Sequence, residues 1–387
     1  MKKKAIYIAI TCFITIVASC KKTGPIQTNV TEPKSFSEIF ETFWNKMNTG
    51  YVYWDIDQTN WDSIYREYKP KFEQLNIGNK TDLQTSVQYF DDITQNLIDS
   101  HYQINFTYQN FNPTSIYPSA NWNENRFDFH SPFIYLGIDS TYLDKSFVNG
   151  IYITKDQQKI FSVSGMIRQD ILYFSCSQFN LQEAYHSPQS TFKPVLDYFF
   201  NALAKSQING LKGIIIDIRN NPGGDTADLN FFVSHLINQP LKIGYTKYKS
   251  GSGRLAFTPW IEATINPANQ SVIIQAPIVV LADSYSKSMA ELTTMAVRAI
   301  PNTLFIGETT WGATGPMIDY NLYNDGSFDV GSILHVYCSS AQFKYINGQS
   351  YEGRGFPPDI HVGFDYNSLK EGKDIQLEKA ISILSNK

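Results

Sequence analysis

The run Lys212-Gly-Ile-Ile-Ile-Asp-Ile-Arg-Asn-Asn-Pro-Gly-Gly224 constrains this chain more than any other segment. Four isoleucines in a short window, three of them consecutive, read as a strand buried on both faces, as in a parallel sheet covered by helices. The run stops at Asn220-Asn221-Pro222-Gly223-Gly224, a turn whose glycines permit close backbone approach and leave amide N–H groups available. In an open α/β sheet, that carboxyl end is where ligands sit. A nest of donors there suits a developing oxyanion, although a tight strand-to-helix turn without chemistry fits the same residues.

The pattern around this run alternates strand and helix. Phe192 to Ala204 reads as an amphipathic helix, 213–218 as a strand, 225–238 as a helix, 277–282 as a second buried strand, Ser288 to Ala299 as a helix and Thr303 to Ile306 as a third strand. Asp374 to Leu384 closes the chain as another amphipathic helix. Upstream, Phe36, Ile39, Phe40, Phe43 and Trp44, then Leu83, Val87, Phe90, Ile93 and Leu97, recur at helical spacing and predict an all-helical module over 36–105. Residues 106–170 are rich in Tyr, Phe, Asn and Pro with short alternating runs, and read as a small β-rich module. The expected fold is thus α+β to α/β, with a core over 171–387 built on a partly parallel sheet. A net charge of −4, with no basic run beyond the N-terminus, gives no surface for nucleic acid.

The N-terminus reads as a targeting segment. Lys2-Lys3-Lys4 precedes an apolar run from Ala5 to Val17, too short to span a bilayer and suited to a secretory signal. Val17-Ala18-Ser19-Cys20 resembles a bacterial lipobox, which implies cleavage after residue 19, a lipid on Cys20, a polar tether over 20–35 and attachment to a membrane of the cell envelope. A plain signal peptide is the other reading. Cys176 and Cys338 then remain as one possible disulfide or as two buried thiols. No Cys/His spacing suggests zinc, and no metal or cofactor is expected.

The second informative segment is Leu281-Ala-Asp-Ser-Tyr-Ser-Lys-Ser-Met-Ala-Glu291, where a strand passes through a serine-rich turn into a helix. A serine hydroxyl at a helix N-terminus sits where free N–H groups and the helix dipole favour negative charge, and it is also the commonest kind of helix cap. Together with Gly307-Glu-Thr-Thr-Trp-Gly312 and Gly355 to Val362, these segments resemble the S41 peptidases, the tail-specific or C-terminal processing serine peptidases and their tricorn-like relatives. The resemblance implies a ClpP/crotonase-like core and a nucleophile at Ser288, with Ser286 the fallback.

The tail-specific branch places a lysine where this chain has Ala313, so the Ser–Lys pattern is not kept. Lys287 adjoins Ser288 and is set aside as the base, because neighbours on a turn or helix do not face each other. The tricorn-like branch places a Ser-His pair after the helical module and a glutamate before the C-terminal segment, which map to Ser100, His101 and Glu352. What the resemblance implies is a Ser-His-Ser-Glu tetrad: His101 as general base, Glu352 supporting it through the Ser100 hydroxyl, and an oxyanion hole from the Met289 N–H with Gly223 or Gly224. No PDZ-like carboxylate-binding loop is visible in 106–170. The expectation is an envelope serine peptidase, endopeptidase or C-terminal processing enzyme, acting on peptides or unfolded chains. The alternative is a catalytically silent lipoprotein that binds peptides or glycans on the same fold. An esterase would share the acyl-transfer chemistry.

Overall fold

A seven-stranded sheet organises the molecule, in the order Ile360–His361, Thr303–Gly307, Ile278–Ala282, Gly213–Asp217, Ile171–Cys176, Lys159–Ile167, Val148–Ile153. The first five run parallel; the last two are antiparallel additions, with Lys159–Ile167 pairing Ile171–Cys176 in the register Ile167↔Ile171 to Ser162↔Cys176. The fold is therefore mixed helix and sheet with a partly parallel sheet, as the alternation predicts. The computed structural model describes residues 32–386 apart from 108–114, 127–129, 207–209, 269–272 and 318–325. The signal segment 1–19, the candidate lipidation site Cys20 and most of the tether lie outside the described residues.

Alternation along Gly213–Asp217 sends Ile214 and Ile216 to one face and Ile215 to the other, and all five residues of the strand are buried. On the first face they share a core with Phe174 of the neighbouring strand and with Phe199, Phe232 and Met295 from helices Phe192–Ala204, Ala227–Val233 and Met289–Ala299. On the second they meet Leu377, Ala380, Ile381 and Leu384 of helix Ile375–Ser385, which Asp374 caps. The helix expected over 225–238 is shorter than its pattern, ending at Val233 before a succession of turns.

A separate core holds the N-terminal helices Phe36–Gly50, Trp61–Glu73 and Lys80–Thr94, packed through Phe40, Phe43, Trp61, Phe72 and Phe90. This module is tied to the rest of the chain by strand Gln103–Phe106, which pairs antiparallel with Leu334–Tyr337 from Gln103↔Tyr337 to Phe106↔Leu334. Helix Lys80–Thr94 ends well before Ser100-His101, which sit on the turn that leads into Gln103–Phe106. Cys176 and Cys338 are both free and buried, one in the sheet core and the other in the helical core.

Arg219 follows the central strand into the interior. Its guanidinium lies 2.5 Å from Asp217, 2.7 Å from Asp374 and 3.4 Å from Asp139, stacks on Tyr135 at 3.8 Å, and has no exposed side-chain surface. Tyr173 donates to Asp139 and Asp217 at 2.9 and 3.0 Å. The cluster joins the sheet to the 135–139 turn and to the start of the last helix. Breaking such a pair leaves buried charge uncompensated, at about 3–5 kcal/mol. Arg219→Leu is expected to lower unfolding stability by about that amount, read as a shift of the denaturation midpoint; a shift below about 1 kcal/mol would mean that the carboxylates had neutralised themselves.

Candidate active site

Three neighbouring parallel strands deliver their carboxyl ends to one place: Gly213–Asp217 leads to the Asn-Pro-Gly-Gly turn, Ile278–Ala282 to the serine turn, and Thr303–Gly307 to Glu308–Gly312. Ser288 caps helix Met289–Ala299 with φ 52° and ψ −117°, a backbone conformation that non-glycine residues seldom adopt. Strain of this kind on a strand-to-helix turn is how a nucleophilic serine is held exposed.

Gly223 packs directly against the serine. A Cβ on Gly223 would lie 2.8 Å from the Ser288 Cβ and 2.9 Å from the Met289 nitrogen, and its φ is +98°. A Cβ on Gly224, at φ +143°, would lie 1.7 Å from the Phe179 carbonyl oxygen, so both positions need glycine. The Gly223 N–H donates to Asn221 Oδ1 at 2.9 Å. The Gly224 and Met289 amides make no hydrogen bond among the described residues. Asn221 also donates to the Cys176 carbonyl at 2.9 Å, and its own carbonyl accepts from Lys287 N at 2.9 Å, clamping the two turns together.

Glu291 fixes the other wall. Its fully buried carboxylate accepts from Ser288 N at 3.1 Å, Thr310 Oγ1 at 2.5 Å, Gly312 N at 2.7 Å and Ala313 N at 2.6 Å. Burial pushes it up to about 7 against those four donors. The backbone of Ala313, where the tail-specific branch carries its lysine, is thus held to the helix that Ser288 caps.

His101 arrives from the N-terminal module. Ile98 N donates to Asp57 at 3.0 Å, Ser100 N to Glu352 Oε1 at 2.7 Å and His101 N to Asp99 Oδ1 at 3.0 Å, so the turn is pinned at three successive points. The ring Nδ1 stands 3.5 Å from Ser339 Oγ, which donates to Asp99 at 2.8 Å; Nε2 is buried without a hydrogen-bond partner. Asp99, His101 and Glu352 offer ligand-type atoms that all lie within 4.8 Å of one another. Glu352 further accepts from Thr314 N, Thr314 Oγ1 and Gly315 N at 2.7, 3.0 and 2.7 Å. Burial and the neighbouring Asp99 raise Glu352 to about 8, burial raises Asp99 to about 6, and burial with the charge of Lys287 lowers His101 to about 4.

The site's members thus stand as follows. Glu352 meets the His101 segment through the Ser100 main chain, whereas the Ser100 hydroxyl is buried and makes no hydrogen bond among the described residues. No hydrogen bond joins Ser288 to His101 among the described residues. Ser286 is committed elsewhere, donating to the Ile218 carbonyl at 2.8 Å and accepting from Asp283 N at 3.0 Å. Asp99 and Ser339 escaped the sequence reading. Asp99 stands two residues before His101 and was findable; Ser339 touches it only through the fold. His130, which lacks a sequence motif, pairs with Glu308 at 3.0 Å and stacks on Phe364 at 3.9 Å.

Replacing Glu291 by alanine would leave four buried donors unpaired, at about 1–3 kcal/mol for each that water cannot reach. Glu291→Ala is expected to lose at least about 3 kcal/mol of stability by chemical denaturation. A loss under 1 kcal/mol would mean that the 310–313 loop holds its place without the carboxylate.

Residues 170–362 match peptidase family S41, and residues 32–89 match the tricorn protease C1 domain. The chain is 30% identical over 161 residues to the nisin-resistance protein of Lactococcus lactis subsp. lactis, and 27% identical over 182 residues to the carboxy-terminal processing protease CtpA of Bacillus subtilis (strain 168). These alignments take in 40% and 47% of this chain but only 47% and 34% of the relatives, so less than half the length of either is spanned. In fold, a solved chain from Parabacteroides merdae ATCC 43184 superposes with a TM-score of 0.67 at 21% identity, covering 91% of this chain and 97% of that one. Mature CPAF gives 0.58 at 12% identity, with 91% and 96% covered.

Proposed function

We propose that this chain, whose residues 170–362 match peptidase family S41, is an envelope-located serine peptidase that cleaves peptide bonds through an acyl-enzyme on Ser288, with His101 as general base. The observation that carries the reading is the strained serine at a helix N-terminus with the glycine turn packed against it, together with a half-buried His101 whose ring is backed by Asp99 and Glu352. The envelope location rests on the residue pattern before Cys20; no helix among the described residues is long and apolar enough to cross a membrane.

In this mechanism Ser288 Oγ attacks the scissile carbonyl carbon as its proton passes to His101 Nε2. The carbonyl oxygen becomes an oxyanion between the Met289 and Gly224 amides, a stabilisation of about 3–4 kcal/mol per donor in comparable sites. The imidazolium returns its proton to the leaving amine nitrogen, the C–N bond breaks, and water then repeats the sequence to free Ser288. Asp99, at about 6, supplies negative charge beside the imidazolium at neutral pH, while Glu352, raised to about 8, holds the His101 turn through the Ser100 amide. Substrates are peptides or unfolded chains.

A silent binding protein is the second reading, favoured by Ala313 and by the absence of a Ser288–His101 hydrogen bond. Fluorophosphonate labelling of the full-length protein separates the two. Wild type is expected to label, Ser288→Ala not at all, and His101→Ala at least about a thousandfold more slowly. Full labelling of His101→Ala would remove it as base, and an unlabelled wild type would favour the silent protein.

The pH profile offers a further check. Since the neutral imidazole is the reactive form and burial favours it, His101 loses its basic form only at pH values well below its ordinary 6.5, towards 4. The acid limb of the labelling rate is expected below pH 6. A limb at 6.5 or above would mean an imidazole in ordinary, water-like surroundings.

A further inference from the structure

Lys287 immediately precedes the nucleophile and is a cation that the mechanism leaves unused. It is half-buried, with Nζ 3.3 Å from the centroid of the Trp311 ring and 5.8 Å from that of Tyr285. Trp311 is itself buried and held by a hydrogen bond from its backbone N–H to the Ser286 carbonyl at 3.1 Å, so the indole is a fixed platform. Among the described residues Lys287 has no ion pair. The carboxylate whose charge it feels, Glu291, is already saturated by four donors.

An unpaired ammonium here works against the chemistry. Its charge reaches His101, and the proton leaving Ser288 would create an imidazolium facing that ammonium. Asp99 and Glu352 lie beside the ring, while Lys287 has Glu291, Tyr285 and Trp311 about it among the described residues and acts on His101 through its charge. A cation beside the base is compatible with turnover when an anion arrives with the substrate and offsets it.

Resting on the serine-peptidase reading above, we propose that Lys287 is a specificity-determining residue that seats a carboxylate of the substrate against the Trp311 platform, beside the scissile bond. The seated carboxylate also offsets the ammonium as His101 takes up its proton, so recognition and turnover are linked. Two sources share this chemistry: the free α-carboxylate of a substrate's C-terminus and the side chain of an aspartate or glutamate near the cleaved bond. Burial lowers Lys287 to about 8, so the seat is charged at neutral pH and empties of charge above that value.

The test uses the full-length protein as wild type, Lys287→Met and Lys287→Arg, with Ser288 labelling by fluorophosphonate on every sample. The probes are an acetylated alternating alanine–serine peptide with a free C-terminus, its C-terminal amide, and amides carrying one glutamate at each position in turn. Cleavage is followed by mass spectrometry at pH 7 and pH 9.5. Wild type is expected to prefer a carboxylate-bearing probe over the plain amide by about tenfold or more in kcat/KM, as for a charge-assisted hydrogen bond. That ratio should fall to about one in Lys287→Met, persist in Lys287→Arg, and shrink at pH 9.5 in wild type, an arm that needs no variant to fold. Preference for the free C-terminus identifies the α-carboxylate; preference for one glutamate position identifies the side chain. A ratio near one in labelled wild type, an unchanged ratio in Lys287→Met, or loss of all cleavage in both variants overturns the seat while leaving the peptidase reading intact. If wild type fails to label, the peptidase reading falls, and calorimetric binding of the same probes decides the seat: a carboxylate preference lost in Lys287→Met supports it, and no preference overturns it.

Discussion

Glu352 is the group on which the candidate site depends. A carboxylate buried this far from water survives only if its lone pairs are met, and four donors from two distant stretches meet them: Ser100 on the N-terminal module, and Thr314, through both nitrogen and hydroxyl, with Gly315 on the core. The acid fastens the turn that carries His101 to the body that carries Ser288. The ladder from Gln103↔Tyr337 to Phe106↔Leu334 supplies the geometry for this union, and Asp99, spanning His101 N and both donors of Ser339, supplies its second fastening.

The Ser288 side of the candidate site follows a similar rule. Ser288 is held in a sparsely populated conformation, a cost met by neighbours that over-determine it. Glu291 holds its amide from within the helix, Gly223 packs against its Cβ, and Asn221 binds the preceding lysine's amide through its carbonyl. Rigidity comes from backbone groups gathered on a few buried side chains rather than from a large apolar contact. That arrangement leaves the amides of Gly224 and Met289 without a hydrogen bond among the described residues.

Much of the fold was legible because the isoleucine run, the second apolar strand and the amphipathic helices carry their burial in their spacing. Phe192–Ala204 appears with the limits its pattern gives, whereas the helix after Gly224 stops at Val233, where successive turns compete with its periodicity. The candidate site was legible only in part. Ser288 and Glu352 stand in local motifs, but Ser339 meets His101 across 238 positions of sequence, through a strand pairing that no local pattern encodes. The Ser100 hydroxyl reads as a relay by analogy, yet the contact is made by the peptide nitrogen, a group identical in every residue and therefore silent in a sequence. Neighbours on a turn or helix do not face each other, which argues against Lys287 as the base. Its ammonium nonetheless lies over Trp311, and its charge acts on the imidazole.

The ladder between Gln103–Phe106 and Leu334–Tyr337 also orders events in time. During synthesis the histidine emerges first, the serine nearly two hundred residues later, and the glutamate after both. Until Leu334–Tyr337 has left the ribosome, the strand beside His101 lacks its partner, so assembly of the candidate site waits on a pairing between segments more than two hundred residues apart.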